Sequence, residues 1–166
     1  PGYTEASLNL AITYSDLGQY DKAREVFERA ARISKAGSSE IDPFIKGKLA
    51  NEHLKIGTIY ADLNLLDEAI DEYEKAIRLA PNFADIITRL GIAYREKGQY
   101  DEAINQFHRA KEVNARFISA RVHLGLTYYS RGFYGLAEEE WQEALKIDPN
   151  NAAVKTYLNF VKPQQS

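Results

Sequence analysis

The stretch ADIITRLGIAYREKGQYDEAINQFHRAKEVNARF, residues 84–117, decides the fold, because its residue types recur at the same offsets elsewhere in the chain. Its small and aromatic residues mark the pattern: Gly91, Tyr94, Ala103, Phe107 and Ala110. The equivalent offsets toward the C-terminus hold Gly125, Tyr128, Ala137, Trp141 and Ala144. Those toward the N-terminus hold Gly57, Tyr60, Ala69, Tyr73 and Ala76. The chain is therefore built from a repeated unit as long as the stretch itself.

A further copy lies upstream, at Ala11, Tyr14, Ala23, Phe27 and Ala30. The interval from Ala11 to Gly57 is longer than the interval from Gly57 to Gly91. The excess equals the length of segment 38–49, so this segment is an insertion between the first two copies.

A period of about 34 residues with small and aromatic residues at fixed places is typical of tetratricopeptide repeats, in which each repeat is a helix-turn-helix pair. On these residues the sequence resembles that family along nearly its whole length, in the plain pattern of its bacterial members. The resemblance implies an all-α fold, a right-handed α-α superhelix of four repeats with a C-terminal capping helix. We expect a single domain over residues 1–166, with repeats at 4–37, 50–83, 84–117 and 118–151, an insertion at 38–49 and the capping helix at 152–161.

Packing arguments support the same fold. Small residues such as Gly91 are predicted where two helices approach closely, and large ones such as Phe107 where they fill the space between neighbouring pairs, since close packing requires complementary sizes. Trp141 takes the offset of Phe107 and is predicted to be a core residue. The recurring residues are therefore assigned to packing, and Gly91→Leu is expected to lower stability without touching a ligand.

The insertion is predicted to lengthen the first helix of the second repeat. Asp42 and Pro43 suit an N-cap and a first helical residue, which predicts a helix from about Pro43 to Leu63. Two interpretations remain. The insertion is either an elongated connection whose apolar residues pack on the first repeat, or a protruding surface that offers Phe44 and Ile45 to a partner.

Composition narrows the function classes. The chain has 166 residues, 45% hydrophobic and 27% charged, which argues against disorder. A formal net charge of −3 and a pI near 5.7 give no electrostatic basis for binding nucleic acid. The absence of cysteine excludes disulfides and thiol catalysis.

Pro1, Gly2 and Tyr3 occupy the offsets at which other copies end. We therefore expect the sequence to be part of a longer protein, with at least one further repeat before it. Neither a membrane-spanning run nor a signal peptide occurs in these residues, and the expected compartment is the cytoplasm.

The sequence offers no candidate for catalysis. His53 falls at the offset of Ile87 and is predicted to be packed, while His108 and His123 belong to different repeats and form no metal-binding motif. No nucleophile motif and no phosphate-binding loop occurs. We predict no catalytic residue, no metal, no cofactor and no enzymatic activity within these residues.

The resemblance also implies where a partner binds. In tetratricopeptide repeats the first helices line a concave groove, and four offsets in each copy face it. Carried over to this chain, the candidate partner-binding residues are Leu8, Ile12, Leu54, Thr58, Asp85, Thr88, Ile92, Arg95, Val122, Leu126, Tyr129 and Phe160.

Most of these residues are apolar. Family members that grip the carboxylate tails of chaperones carry lysine and asparagine where this chain has Leu8 and Ile12, so that function is not supported. An apolar groove suits a peptide, an amphipathic helix or another copy of the chain. The competing interpretation is that other segments of the same protein cover these residues.

The function predicted is a non-enzymatic protein-interaction scaffold that binds a protein or peptide, or associates with itself, without nucleic acid and without membrane insertion. Two alternatives remain: a targeting or regulatory arm of a larger enzyme, and a self-assembling structural unit.

Overall fold

The computed structural model describes residues 2–36 and 43–161. Within these ranges it contains nine α-helices and no β-strand. The helices are α1 (Gly2–Asp16), α2 (Tyr20–Ala36), α3 (Pro43–Asp62), α4 (Leu66–Leu79), α5 (Ala84–Glu96), α6 (Tyr100–Val113), α7 (Ile118–Ser130), α8 (Tyr134–Ile147) and α9 (Ala152–Val161).

The tightest packing joins α1 to α2, α3 to α4, α5 to α6 and α7 to α8, and from α3 onward each helix also packs on the next one along the chain. The helix α5 also packs on α7, and α1 on α3, so the first helices of successive pairs lie side by side. This is the predicted α-α superhelix of four helix pairs and a final helix, and the predicted fold class is confirmed.

The four turns within the pairs share one conformation. Gly18, Asn64, Gly98 and Gly132 occupy the same offset, and each has a positive φ, between 59° and 81°. The residue that follows each of them donates its backbone N–H to the carbonyl five residues earlier, at 2.8–2.9 Å. This bond belongs to the Schellman motif, in which a residue of left-handed conformation ends a helix. Glycine or asparagine is therefore favoured at this offset.

The recurring glycines lie against the recurring aromatic rings. A Cβ added at Gly91 would lie 2.6 Å from a ring carbon of Phe107, and one at Gly125 would lie 2.3 Å from Nε1 of Trp141. Both rings belong to the second helix of the same pair. The prediction that Phe107 fills space between neighbouring pairs is therefore incomplete, because the ring packs first on its own pair and then stacks on His123 of the next, with centroids 6.0 Å apart. Trp141 is 1% exposed, which confirms it as a core residue.

The helix α3 begins at Pro43 and ends at Asp62, within one residue of the predicted limits. Leu49, at the end of the insertion, is buried against Ala11 and Ala23 of the first pair, as the interpretation of an elongated connection predicts. The side chains of Phe44 and Ile45 lie outside the described part of the structure, and so do residues 38–42 of the insertion.

The final helix covers the end of the stack. Val154 and Val161 of α9 are buried against Trp141 of α8, and Tyr157 stacks on the Trp141 ring with centroids 5.3 Å apart. The helix α9 thus covers apolar side chains of the fourth pair.

Two ion pairs that join successive helix pairs recur with the repeat period. Lys97 pairs with Asp67, and Arg131 pairs with Asp101, which occupy the same two offsets in successive repeats. Surface pairs of this kind contribute little stability each.

Candidate functional site

The surface formed by α1, α3, α5 and α7, the first helices of the four pairs, is called the groove below. It holds two depressions and one polar contact in sequence along the stack, at the junctions α1–α3, α3–α5 and α5–α7.

The first depression lies between α1 and α3 and has a volume of about 310 Å³. Ile12 of α1 and Leu54 of α3 provide its apolar walls, and both also pack on core clusters. Lys55 at its edge pairs with Glu52 at 2.7 Å. This end of the groove therefore combines apolar walls with a paired charge.

The second depression lies between α3 and α5 and has a volume of about 220 Å³. The hydroxyl of Thr58 donates to the carbonyl of Leu54 at 2.8 Å, and Tyr73 reaches it from α4, its hydroxyl 3.5 Å from Thr58 Oγ1. Ile92 forms part of the α5 wall, and Arg89 on the same wall is paired with Asp85 at 3.3 Å.

The third junction is a polar contact between α5 and α7. Arg95 Nη1 donates to His123 Nδ1 at 3.3 Å. Burial, reinforced by the positive charge of Arg95, lowers the pKa of His123 to about 4. The imidazole is therefore neutral near pH 7, which leaves its Nδ1 free to accept from the guanidinium. Burial also lowers the pKa of Arg95 from its ordinary value.

Beyond this contact the α7 wall is apolar and aromatic. Val122, Leu126 and Tyr129 are half-buried and pack on the cluster that contains Trp141. The Tyr129 ring lies 6.0 Å from that of Trp141 and 5.2 Å from that of Tyr134, centroid to centroid. Tyr129 therefore belongs to an aromatic cluster whose ring contacts add to the packing of the α7 wall.

Three of the residues predicted to bind a partner are not seen on the exposed walls of the groove. Thr88 is 2% exposed and its hydroxyl has no hydrogen-bond partner in the described ranges, so its side chain belongs to the interior. Phe160 of α9 is 57% exposed and lies beyond the four pairs. The side chain of Leu8 is outside the described part of the structure.

The charged residues along the two depressions were missed by the sequence reasoning, which considered only four offsets in each copy. They are Lys48, Glu52, Lys55, Asp62, Arg89 and Glu96. Helical spacing could have found Arg89, because it lies four residues after Asp85.

A depression of about 400 Å³ lies on the second helices, α4 and α6, together with Pro81 and Leu90. Two arginines and Glu74 lie around it, and Arg78 is 3.8 Å from the carboxylate of Glu74. Of the three depressions described here, this one lies on the second helices, whereas the other two lie at successive junctions of the groove.

Among residues 2–36 and 43–161, no group of three or more His, Asp or Glu side chains is arranged to hold a metal ion. Within the same ranges, no helix has both the length and the apolar character needed to cross a bilayer.

Family models match most of the chain. A TPR repeat model matches residues 57–95 and 91–132, and two tetratricopeptide repeat models match residues 4–36 and 119–151. No curated protein matches the sequence at a significant level.

Solved structures share the fold at low sequence identity. The crystal structure of MamA protein is similar with a TM-score of 0.75 and 21% identity, over 98% of this chain and 82% of that chain. The first TPR of Spaghetti (RPAP3), bound to the HSP90 peptide SRMEEVD, has a TM-score of 0.68 and 21% identity, over 72% and 94% of the two chains. The TPR domain of Arabidopsis OM64 has a TM-score of 0.68 and 18% identity, over 72% and 98%. On the matched repeats and on the fold, the chain belongs to the tetratricopeptide repeat family.

Proposed function

We propose that the chain is a non-enzymatic protein-interaction scaffold, and that the groove binds a peptide or helical segment of another protein. The observation that carries the proposal is the continuity of the groove. Apolar side chains of α1, α3, α5 and α7 follow one another along it, and the adjacent Lys55 and Arg89 are already paired within the chain.

The groove suits a peptide better than a small molecule. Its two depressions are shallow and open, whereas sites for small molecules enclose most of their ligand. Ile92 and Leu126 lie on the neighbouring helices α5 and α7 and are each only partly buried. An occupant that contacts both must span neighbouring helices, as an extended or helical peptide does.

Two similar folds support this mode of binding. The first TPR of Spaghetti (RPAP3) is bound to an HSP90 peptide, and the second TPR domain of human RPAP3 is in complex with an HSP70 peptide. This chain has Leu8 and Ile12 where the tail-gripping members have lysine and asparagine. The proposed partner is therefore bound chiefly through apolar side chains.

Peptide selection tests the proposal directly. Random dodecapeptides displayed on phage are selected on the purified chain, and the enriched peptides are synthesised for titration. Ile92→Glu and Leu126→Glu are expected to weaken binding at least tenfold, because each places a charge on the apolar wall. Leu136→Glu is the matched control, since Leu136 is 44% exposed on α8, outside the groove.

Circular dichroism of each variant separates lost binding from lost folding. Retention of binding by both groove variants with native helicity would show that the groove is not the site. Light scattering over a concentration series tests whether a second copy of the chain occupies the groove instead. Self-association that Ile92→Glu abolishes, together with failure to select any peptide, would assign the groove to that second copy.

A further inference from the structure

Arg95 differs from the other arginine of α5 that borders the groove. Arg89 is paired with Asp85, but no carboxylate in the described residues forms an ion pair with Arg95. Glu96, the next residue along the chain, is exposed and acts on Arg95 through its charge without an ion-pair contact. The guanidinium is thus partly buried with its charge uncompensated.

Among the described residues, the hydrogen-bond partner of Arg95 supplies no countercharge. Its Nη1 donates to His123 Nδ1, and His123 is neutral near pH 7 because burial and Arg95 itself both disfavour its protonation. A guanidinium has five N–H donors in a planar fork and stays protonated in proteins. The contact to His123 uses one donor and fixes the orientation of the head group, which leaves the rest of the fork for another acceptor.

The surroundings of Arg95 favour a specific kind of acceptor. Ile92 lies one turn earlier on α5, so an apolar side chain neighbours the charge. A carboxylate at this point would meet the fork in the bidentate geometry that arginine favours. Arg95 lies at an offset distinct from those of Leu8 and Ile12, where tail-gripping relatives place lysine and asparagine.

We propose that Arg95, oriented by His123, is a subsite for one carboxylate of the bound peptide, with the apolar side chain of Ile92 nearby. The proposal rests on the peptide-binding function and adds the chemistry of the ligand. The carboxylate belongs either to a Glu or Asp side chain or to the C-terminus of the peptide.

The first experiment needs no partner. The full chain, labelled with ¹⁵N, is titrated with sodium acetate against sodium chloride at equal ionic strength. The Nε–Hε cross-peak of Arg95 is expected to shift saturably with acetate, and that of Arg78, a more exposed arginine on α4, to shift little. Equal shifts for the two arginines, or none for Arg95, would overturn the subsite whatever the groove binds.

The second experiment uses the selected dodecapeptides. Each is made with Glu or Asp changed to Gln or Asn, and separately with an amidated C-terminus, which distinguishes the two sources of the carboxylate. One of these changes is expected to weaken binding at least tenfold, as for a charge-assisted hydrogen bond, and Arg95→Gln to remove that difference. Arg95→Lys should restore part of it, and Arg78→Gln should leave it unchanged.

The two proposals fail in different ways. Peptides that bind through Ile92 and Leu126 with the same affinity in acidic and amide forms would leave the groove function standing and reject the subsite. Failure to select any peptide would count against the groove function, and the acetate titration would still decide the subsite.

Discussion

His53 Nδ1 lies 2.6 Å from Glu72 Oε2, in a buried contact between α3 and α4. Glu72 also accepts from Lys75 at 2.9 Å. Burial alone would raise the pKa of Glu72, but the hydrogen bonds from His53 and Lys75 outweigh it and hold the pKa below the ordinary 4.5. A carboxylate whose pKa is lower in the folded chain stabilises the fold above its unfolded pKa, and this contribution is lost as the pH falls through the folded pKa.

Glu72→Gln is expected to lower the free energy of unfolding at pH 7 by about 1–3 kcal/mol, since a charged acceptor of two hydrogen bonds is lost in the interior. The variant should also lose part of the decline in stability that the parent chain shows below pH 4.5. Urea unfolding at several pH values measures both effects. Glu68→Gln on the exposed face of α4 is the control and should stay within about 0.5 kcal/mol of the parent.

Gly125→Ala is expected to destabilise the chain by about 1–3 kcal/mol, because the new methyl group would lie 2.3 Å from Nε1 of the buried Trp141. Gly135→Ala is the opposite control: nothing lies within 4 Å of its added Cβ, and alanine is the better helix former in the first turn of α8. Thermal unfolding should move the two melting temperatures in opposite directions. Equal behaviour would contradict the assignment of Gly125 to close packing.

Gly98→Ala is expected to cost about 1 kcal/mol, because its φ of 81° lies in the region that L-residues avoid. Asn64 occupies the equivalent turn at a φ of 59°, and Asn64→Gly should therefore be neutral or slightly stabilising. Chemical denaturation of the two variants checks the expectation. A loss of stability in Asn64→Gly that matches the loss in Gly98→Ala would show that side-chain contacts of these turn residues matter more than backbone conformation.

His123 is expected to titrate near pH 4, against an ordinary value of 6.5. A histidine whose pKa is lowered by folding binds its proton more readily in the unfolded chain, so between pH 6.5 and 4 stability should fall as the pH falls. The full effect of such a shift is about 3 kcal/mol by linkage. His123→Gln should flatten this part of the stability curve, and NMR titration of the imidazole measures the pKa directly. A midpoint above pH 6 would contradict the buried contact with Arg95.

The repeat pattern predicted the helices and their pairing because it reflects the sizes of the side chains that pack between helices. Gly91 and Phe107 recur as a small and a large residue at fixed separation, and that separation is the contact between two helices of one pair. His53 was predicted to be packed from its offset alone, and its 7% exposure confirms this.

Offsets predict which helix face a residue occupies, but not what its functional group meets. Thr88 falls at a groove offset, yet it is buried, because burial depends on neighbouring side chains that vary between copies. Among the described residues, the contact of Arg95 with His123 is seen at a single repeat junction, so a search for recurrence could not find it. The contact of His53 with Glu72 has a counterpart at the same offsets two repeats later, the ion pair of Arg121 with Glu140, but the residue types differ at the first offset.

The first helices of the pairs differ in length, so the stack is not uniform along its axis. The helix α3 has 20 residues and α5 has 13, so α3 is longer by about 10 Å at 1.5 Å per residue. In a uniform array any pair can take the place of its neighbour, and two chains can exchange pairs or slip by one repeat. Here such a slip would set the long helix where a short one belongs. The extra length of α3 therefore distinguishes the second pair from its neighbours and disfavours such a slip.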